Sequence, residues 1–150
     1  MENYQTAFAL KRLDYIQSIF SENALIIVVN KLVNAGREGA YHSKYQSIRL
    51  DREAYIDRLE RQFREKEFIN LRFNQTDLRR SSDNVNTTVY GIQLEQDYYS
   101  SNYCDHGYLF LQINLSEPEK PLIQVRTWQP EPDPEFGVYS NDDFPIQHTD

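Results

Sequence analysis

TTVYGIQLEQDYYSSNYCDHGYLFLQINLSEPEKPLIQVRTWQP, residues 87–130, decides the fold of this chain. Three runs rich in β-branched and aromatic residues, 89–98, 108–115 and 122–128, are separated by the polar segments SSNYCDHG and SEPEKP. Both segments hold residue types that stop strands and form turns. Strand-length runs divided in this way read as a three-strand antiparallel meander. Alternation along each strand then sorts side chains onto two faces. In the last strand the sets are Ile123, Val125, Thr127 and Gln124, Arg126, Trp128. In the middle strand they are Leu109, Leu111, Ile113 and Tyr108, Phe110, Gln112. In the first they are Tyr90, Ile92, Leu94, Gln96, Tyr98 and Val89, Gly91, Gln93, Glu95, Asp97. The aliphatic sets are expected to face a helical layer, and Tyr108, Phe110, Arg126 and Trp128 the outside.

Upstream of the meander, residues 2–20 read as one helix, with Ala9, Leu13, Ile16 and Phe20 along a single face. Ser21-Glu22-Asn23 breaks that pattern, and ALIIVVNKLV, residues 24–33, reads as a strand. A Gly-punctuated connection spans 34–49, with a short return strand at 45–50. Asp51 is placed to cap a second helix whose apolar stripe is Tyr55, Ile56, Leu59 and Phe63. Residues 67–79 alternate Phe68, Asn70, Arg72, Asn74 with Ile69, Leu71, Phe73, the pattern of a half-buried strand. A turn cluster, Ser81 to Asn84, leads into the meander. After it, residues 131–150 form an acidic, Pro-rich extension to a single domain over 1–130, read as an irregular wrap or tail.

Composition excludes several roles. The net charge is -7, and no Lys or Arg follows Arg126, whereas six acids do. With no basic stripe to offset this, nucleic acid is not an expected partner. No apolar run approaches the ~20 residues of a membrane span, so no membrane partner is expected either. Cys104 is the only cysteine, which rules out an internal disulfide and fits a reducing compartment. MENYQTAFALKRL is amphipathic rather than a signal sequence, and both a cytoplasmic protein and the mature part of an exported one would begin this way.

Helices segregated to one face of an antiparallel sheet define the α+β class. At this point the chain resembles the nuclear transport factor 2-like family, which also includes ketosteroid isomerases and polyketide cyclases. The resemblance rests on the first helix running into FSENALIIV, the later helix YIDRLERQF, and the strand set ending in LIQVRTWQP. It implies a curved antiparallel sheet forming a cone, with the N-terminal helices packed on its concave face. A cone of this kind either holds a ligand or is plugged by apolar side chains.

Three readings of Arg126 and Trp128 stand side by side. They cover the outer sheet face, with Arg126 paired to Glu95 or Asp97; they form a homodimer interface; or they join Gln96 and Tyr98 at the mouth of the cone to hold a small polar or anionic ligand. A non-catalytic binding or association domain, self-associating through its sheet, is the expectation. The alternative is an isomerase- or cyclase-like enzyme with a base among Asp77, Asp97 and Asp105 and a donor among Tyr90, Tyr98 and Tyr103. Asp77 and Asp105 lie in polar stretches and read as turn residues. Cys104-Asp105-His106 carries no nucleophile signal, since catalytic Cys and His meet in space rather than in sequence. His42, His106 and His148 are scattered, so neither a metal nor a cofactor is expected.

Overall fold

The computed structural model describes residues 2–31, 45–80 and 88–144, with the side chains of 75–80 left aside. Three helices, α1 (Glu2–Ala9), α2 (Leu13–Ser18) and α3 (Arg52–Glu65), accompany six strands: β1 (Phe20–Lys31), β2 (Tyr45–Leu50), β3 (Ile69–Arg80), β4 (Val89–Ser100), β5 (Cys104–Asn114) and β6 (Leu122–Gln129). The strands form one curved sheet in the order β2-β1-β6-β5-β4-β3. The expected α+β architecture is present. Four strand pairs are antiparallel, and β1 lies parallel to β6, so the sheet is mixed. The turn cluster at 81–84, the connection at 34–44, His42 and His148 fall outside the described residues.

α3 forms as its sequence dictates. The Asp51 side chain accepts a hydrogen bond from the Ala54 backbone N–H at 2.8 Å, and Tyr55, Ile56, Leu59 and Phe63 are buried. The first helix departs from expectation by splitting. Lys11 adopts a positive φ of 54°, a left-handed conformation that a helix interior does not tolerate. α1 therefore buries Tyr4, Ala7 and Phe8 rather than Ala9, while α2 keeps the expected Ile16. Phe20, expected at the end of the helical face, opens β1 instead.

One apolar cluster fills the concave side, joining the helices to Ile26, Val28, Ile69, Leu71, Leu94, Leu109, Leu111 and Ile123. Two features place polar groups beside it. The hairpin between β4 and β5 is shorter than SSNYCDHG suggests: Ser100 N–H donates to the Tyr103 carbonyl at 2.7 Å, and β5 already begins at Cys104. In addition, β6 carries one extra residue opposite β5, since Gln112 pairs with Val125 but Ile113 with Ile123. A bulge of this kind reverses the alternation on one side of it. Ile123 stays on the concave face, but Val125 and Thr127 move to the outer face and Arg126 and Trp128 turn inward.

The outer face of the meander is covered by residues 131–144. The Phe144 ring stacks on Phe110 at 5.9 Å and 10°. Gln112 Nε2 donates to the Phe144 carbonyl at 2.9 Å, Gln93 Nε2 to that of Tyr139 at 3.0 Å, and Gln129 Nε2 to that of Gly137 at 3.0 Å. At Gly91 a Cβ would come within 2.6 Å of the Asn141 side chain, so glycine lets that side chain lie close against the sheet. A short 3-10 helix, Asn141–Asp143, closes the wrap with a Ser140 capping box.

Candidate functional site

A cavity of about 410 Å³ opens between α3 and the concave face of the sheet. Gln96, Tyr98, Arg126 and Trp128, the four residues singled out in the sequence for a ligand, all line it. The bulge is what brings Arg126 and Trp128 there. Trp128 reaches across β5 because residue 107 is glycine: a Cβ at that position would lie 2.4 Å from the indole.

Arg126 is 8% exposed, with its guanidinium 4.9 Å from the centre of the Tyr55 ring and its Nε donating to the Tyr4 hydroxyl at 3.3 Å. Among the described residues it makes no ion pair, and the expected pairing with Glu95 or Asp97 does not form. Those two acids lie on the outer face, on the far side of the sheet from the guanidinium. A buried charge without a counter-ion is costly unless something else compensates it.

Other polar groups converge on the same space. Gln96 is 4% exposed and its Oε1 has no hydrogen-bond partner among the described residues; the same holds for the Tyr55 hydroxyl and for Asp105 Oδ1. All three residues line the cavity. Burial lifts the Asp105 carboxyl above the usual carboxylate range, opposed by Tyr103, Arg126 and His106. Burial likewise raises the hydroxyls of Tyr55, Tyr98 and Tyr103. Arg58 and Lys66 from α3 and its C-terminus add two cations to the wall, against Glu65 and Asp105. In a chain of net charge -7 the cavity is thus locally basic.

Asp105 is the residue that sequence reading placed wrongly. It sits in β5 rather than in a turn, paired with Tyr98 of β4 across the concave face. The signal was available in the alternation with Gly107 and Leu109, but the turn-forming residues around it masked it. Asp97, another candidate base, lies on the outer face, where His106 Nδ1 is 2.6 Å from its Oδ1 and Asn74 Nδ2 donates at 3.0 Å. The His106 contact, foremost, holds the Asp97 carboxyl below its usual range. Of the candidate donors, Tyr98 and Tyr103 line the cavity and Tyr90 does not. The side chain of Asp77 lies outside the described residues. Cys104 is exposed and shares the outer face with His106, whose hydrogen-bond partner is Asp97. Among the described residues no group of three His, Cys, Asp or Glu side chains is placed to hold a metal, and no helix is long and apolar enough to cross a membrane.

No family model and no curated protein sequence matches the chain. Solved structures do. Bd1075 of Bdellovibrio bacteriovorus is similar over 86% of this chain, with 14% identity and a TM-score of 0.62; the chain spans 37% of that protein's length. A Novosphingobium aromaticivorans protein, named as the beta subunit of an aromatic-ring-hydroxylating dioxygenase, is similar over 85% of this chain and 81% of its own, at 13% identity and a TM-score of 0.60. A protein of the same organism, named as a scytalone dehydratase, is similar over 98% of this chain and 84% of its own, at 11% identity and a TM-score of 0.59. The shared feature is the cone of sheet and helices, and at these identities it is the fold alone that is shared.

Proposed function

We propose that this chain, which has the nuclear transport factor 2-like fold, is a binding domain that holds a small polar or anionic molecule in the concave cavity. The observation that carries this reading is Arg126, a buried guanidinium with no ion pair among the described residues, in the cavity lining beside Tyr55. Pockets that orient small ligands have this composition, mostly apolar walls with a few convergent polar groups. Calorimetry with a panel of monocarboxylates and inorganic phosphate tests it. At least one anion binds the wild type with one-to-one stoichiometry, and Arg126→Gln weakens it by about 10- to 100-fold, the range of a charged hydrogen bond. Equal binding by the variant, or no anion bound at all, defeats the reading.

A second reading is favoured by one observation, the pairing of Asp105 and Tyr98 across β5 and β4 on the cavity wall. An acid and a hydroxyl so placed suit an isomerase- or cyclase-like enzyme. Exchange of an α-proton of a bound ketone into heavy water, present in the wild type and lost in Asp105→Asn, would separate it from simple binding.

Self-association through the sheet belongs to the same proposal, with changed residues. Arg126 and Trp128 face inward, and residues 131–144 cover Phe110, so the outer surface left open runs over Glu95, Asp97, Tyr99 and Tyr108. Sedimentation of Tyr99→Asp against the wild type reads it.

A further inference from the structure

The cavity wall says more about its ligand than its charge. Resting on the anion-binding reading above, we infer that the ligand is a planar aromatic monocarboxylate of one or two rings, its carboxylate on Arg126 and its ring against Trp128 and Tyr98.

The charge balance of the cavity favours a ligand with a single negative charge. One guanidinium is buried there, and the half-buried Asp105 carboxyl lies close enough to act on it electrostatically. Across the whole lining Arg58, Lys66 and Arg126 stand against Glu65 and Asp105, a surplus of one positive charge, which a monoanion balances and a dianion reverses. The geometry of Arg126 favours a flat acceptor. Its Nε is used by Tyr4 and one face of the guanidinium is stacked near Tyr55, which leaves the in-plane terminal nitrogens for a carboxylate. Gln96 and Tyr55, both more than nine-tenths buried, line the same cavity; of their unpartnered atoms the Tyr55 hydroxyl can donate to a carboxylate, whereas Gln96 Oε1 only accepts.

The walls and one glycine favour an aromatic body. Trp128 lies over the backbone of Gly107, and Tyr98 and Tyr103, 6.1 Å apart between ring centres, stand on the neighbouring strand and hairpin. Residue 107 contributes no side chain, so the sheet there presents the indole itself to the cavity. Aromatic pairs prefer offset or edge-on contact at 4.5–7 Å, which suits a flat ring better than a puckered one. A cavity of about 410 Å³ accommodates one or two rings and excludes a polymer.

Trp128 is the only tryptophan of the chain, so its fluorescence reports on this cavity alone. The probes are benzoate, 2-naphthoate, cyclohexanecarboxylate, 2-naphthamide and inorganic phosphate, titrated against the full chain by calorimetry and followed by indole fluorescence. Expected is one-to-one binding of 2-naphthoate with a change in indole emission, at least about 10-fold tighter than cyclohexanecarboxylate, 2-naphthamide or phosphate. Trp128→Leu should erase the preference of 2-naphthoate over cyclohexanecarboxylate while both still bind. Arg126→Lys, which keeps the charge but loses the fork, should weaken every carboxylate. Cyclohexanecarboxylate or phosphate binding as tightly as 2-naphthoate overturns the aromatic class and leaves the anion reading standing. Binding of 2-naphthamide as tight as that of 2-naphthoate, or binding of no anion, overturns both. Circular dichroism of each variant confirms that loss of binding is not loss of fold, and the wild-type probe series decides the matter even if a variant fails to fold.

Discussion

The two faces of the same strands treat buried glutamine in opposite ways. On the outer face Gln93, Gln112 and Gln129 each donate to a backbone carbonyl of residues 137–144, and Gln129 Oε1 also accepts from Tyr139 N–H at 3.0 Å. On the concave face Gln96 is as buried as Gln112 and more so than Gln93, yet its Oε1 has no partner among the described residues. Outer-face polarity is used up in fastening the chain's own C-terminal segment, with the Thr127 hydroxyl the one buried group there left unpaired among the described residues. Concave-face polarity is held in reserve. Buried polar groups are ordinarily satisfied, and those that are not ask for an explanation. On the concave side a hydrogen-bond donor in the cavity supplies one for Gln96 Oε1.

The largest test of this contrast is at Phe110, 1% exposed between the sheet and Phe144. Phe110→Ala should cost about 3–5 kcal/mol in denaturant unfolding, while leaving the cavity on the other side of the sheet unaltered. A cost below about 1 kcal/mol would mean that residues 131–144 do not pack there in solution.

Next come the glutamines. Gln129→Leu strands the Tyr139 N–H, while the Gly137 carbonyl keeps its bond from Asp133 N–H, and should destabilise by about 1–3 kcal/mol. Gln96→Leu removes an amide oxygen that has no donor partner among the described residues, so its change should be about 1 kcal/mol or less, tending to stabilise. Equal costs at the two positions would erase the distinction between the faces.

The smallest effect is in pH. Asp105 on the concave face has its carboxyl raised by burial, and Asp97 on the outer face has its carboxyl lowered by His106. A raised carboxyl binds its proton more tightly folded than unfolded, so its contribution is present at low pH and is lost as pH rises through the folded value. A lowered one contributes above the ordinary carboxylate range and loses that as pH falls. Midpoints of Asp105→Asn should therefore gain on the wild type as pH rises, and those of Asp97→Asn should fall behind it over the same range. Arg126, Tyr98 and Tyr103 face Asp105 together with Arg58, Glu65 and Lys66 of the cavity wall, and His106 acts on it from the other side of the sheet. Parallel profiles for the two variants would show that their environments do not differ.

Much of the architecture was legible in the residues. Asp51 at the head of α3 and the stripe Tyr55, Ile56, Leu59, Phe63 carry local signals strong enough to stand alone, whereas the return strand Tyr45–Leu50 is weakly marked in sequence and owes its place to pairing with β1. The break at Lys11 does not, because a lysine in the left-handed region leaves no mark in composition. Asp105 was hidden for a different reason: the residues around it are turn formers, but pairing with β4 recruits all but 101–103 into strands.

The chain by itself determined that helices would cover one side of a sheet, because apolar spacing is a local property that no distant contact needs to supply. It also supplied the four residues that now line the cavity, Gln96, Tyr98, Arg126 and Trp128. Which way two of them point was settled only by the pairing of β5 with β6. The extra residue at Gln124 is invisible in a strand read alone, since alternation counts positions along one strand and a bulge exists only between two. That one-residue slip turned Arg126 from an outer-face ion pair into a buried cation facing a cavity.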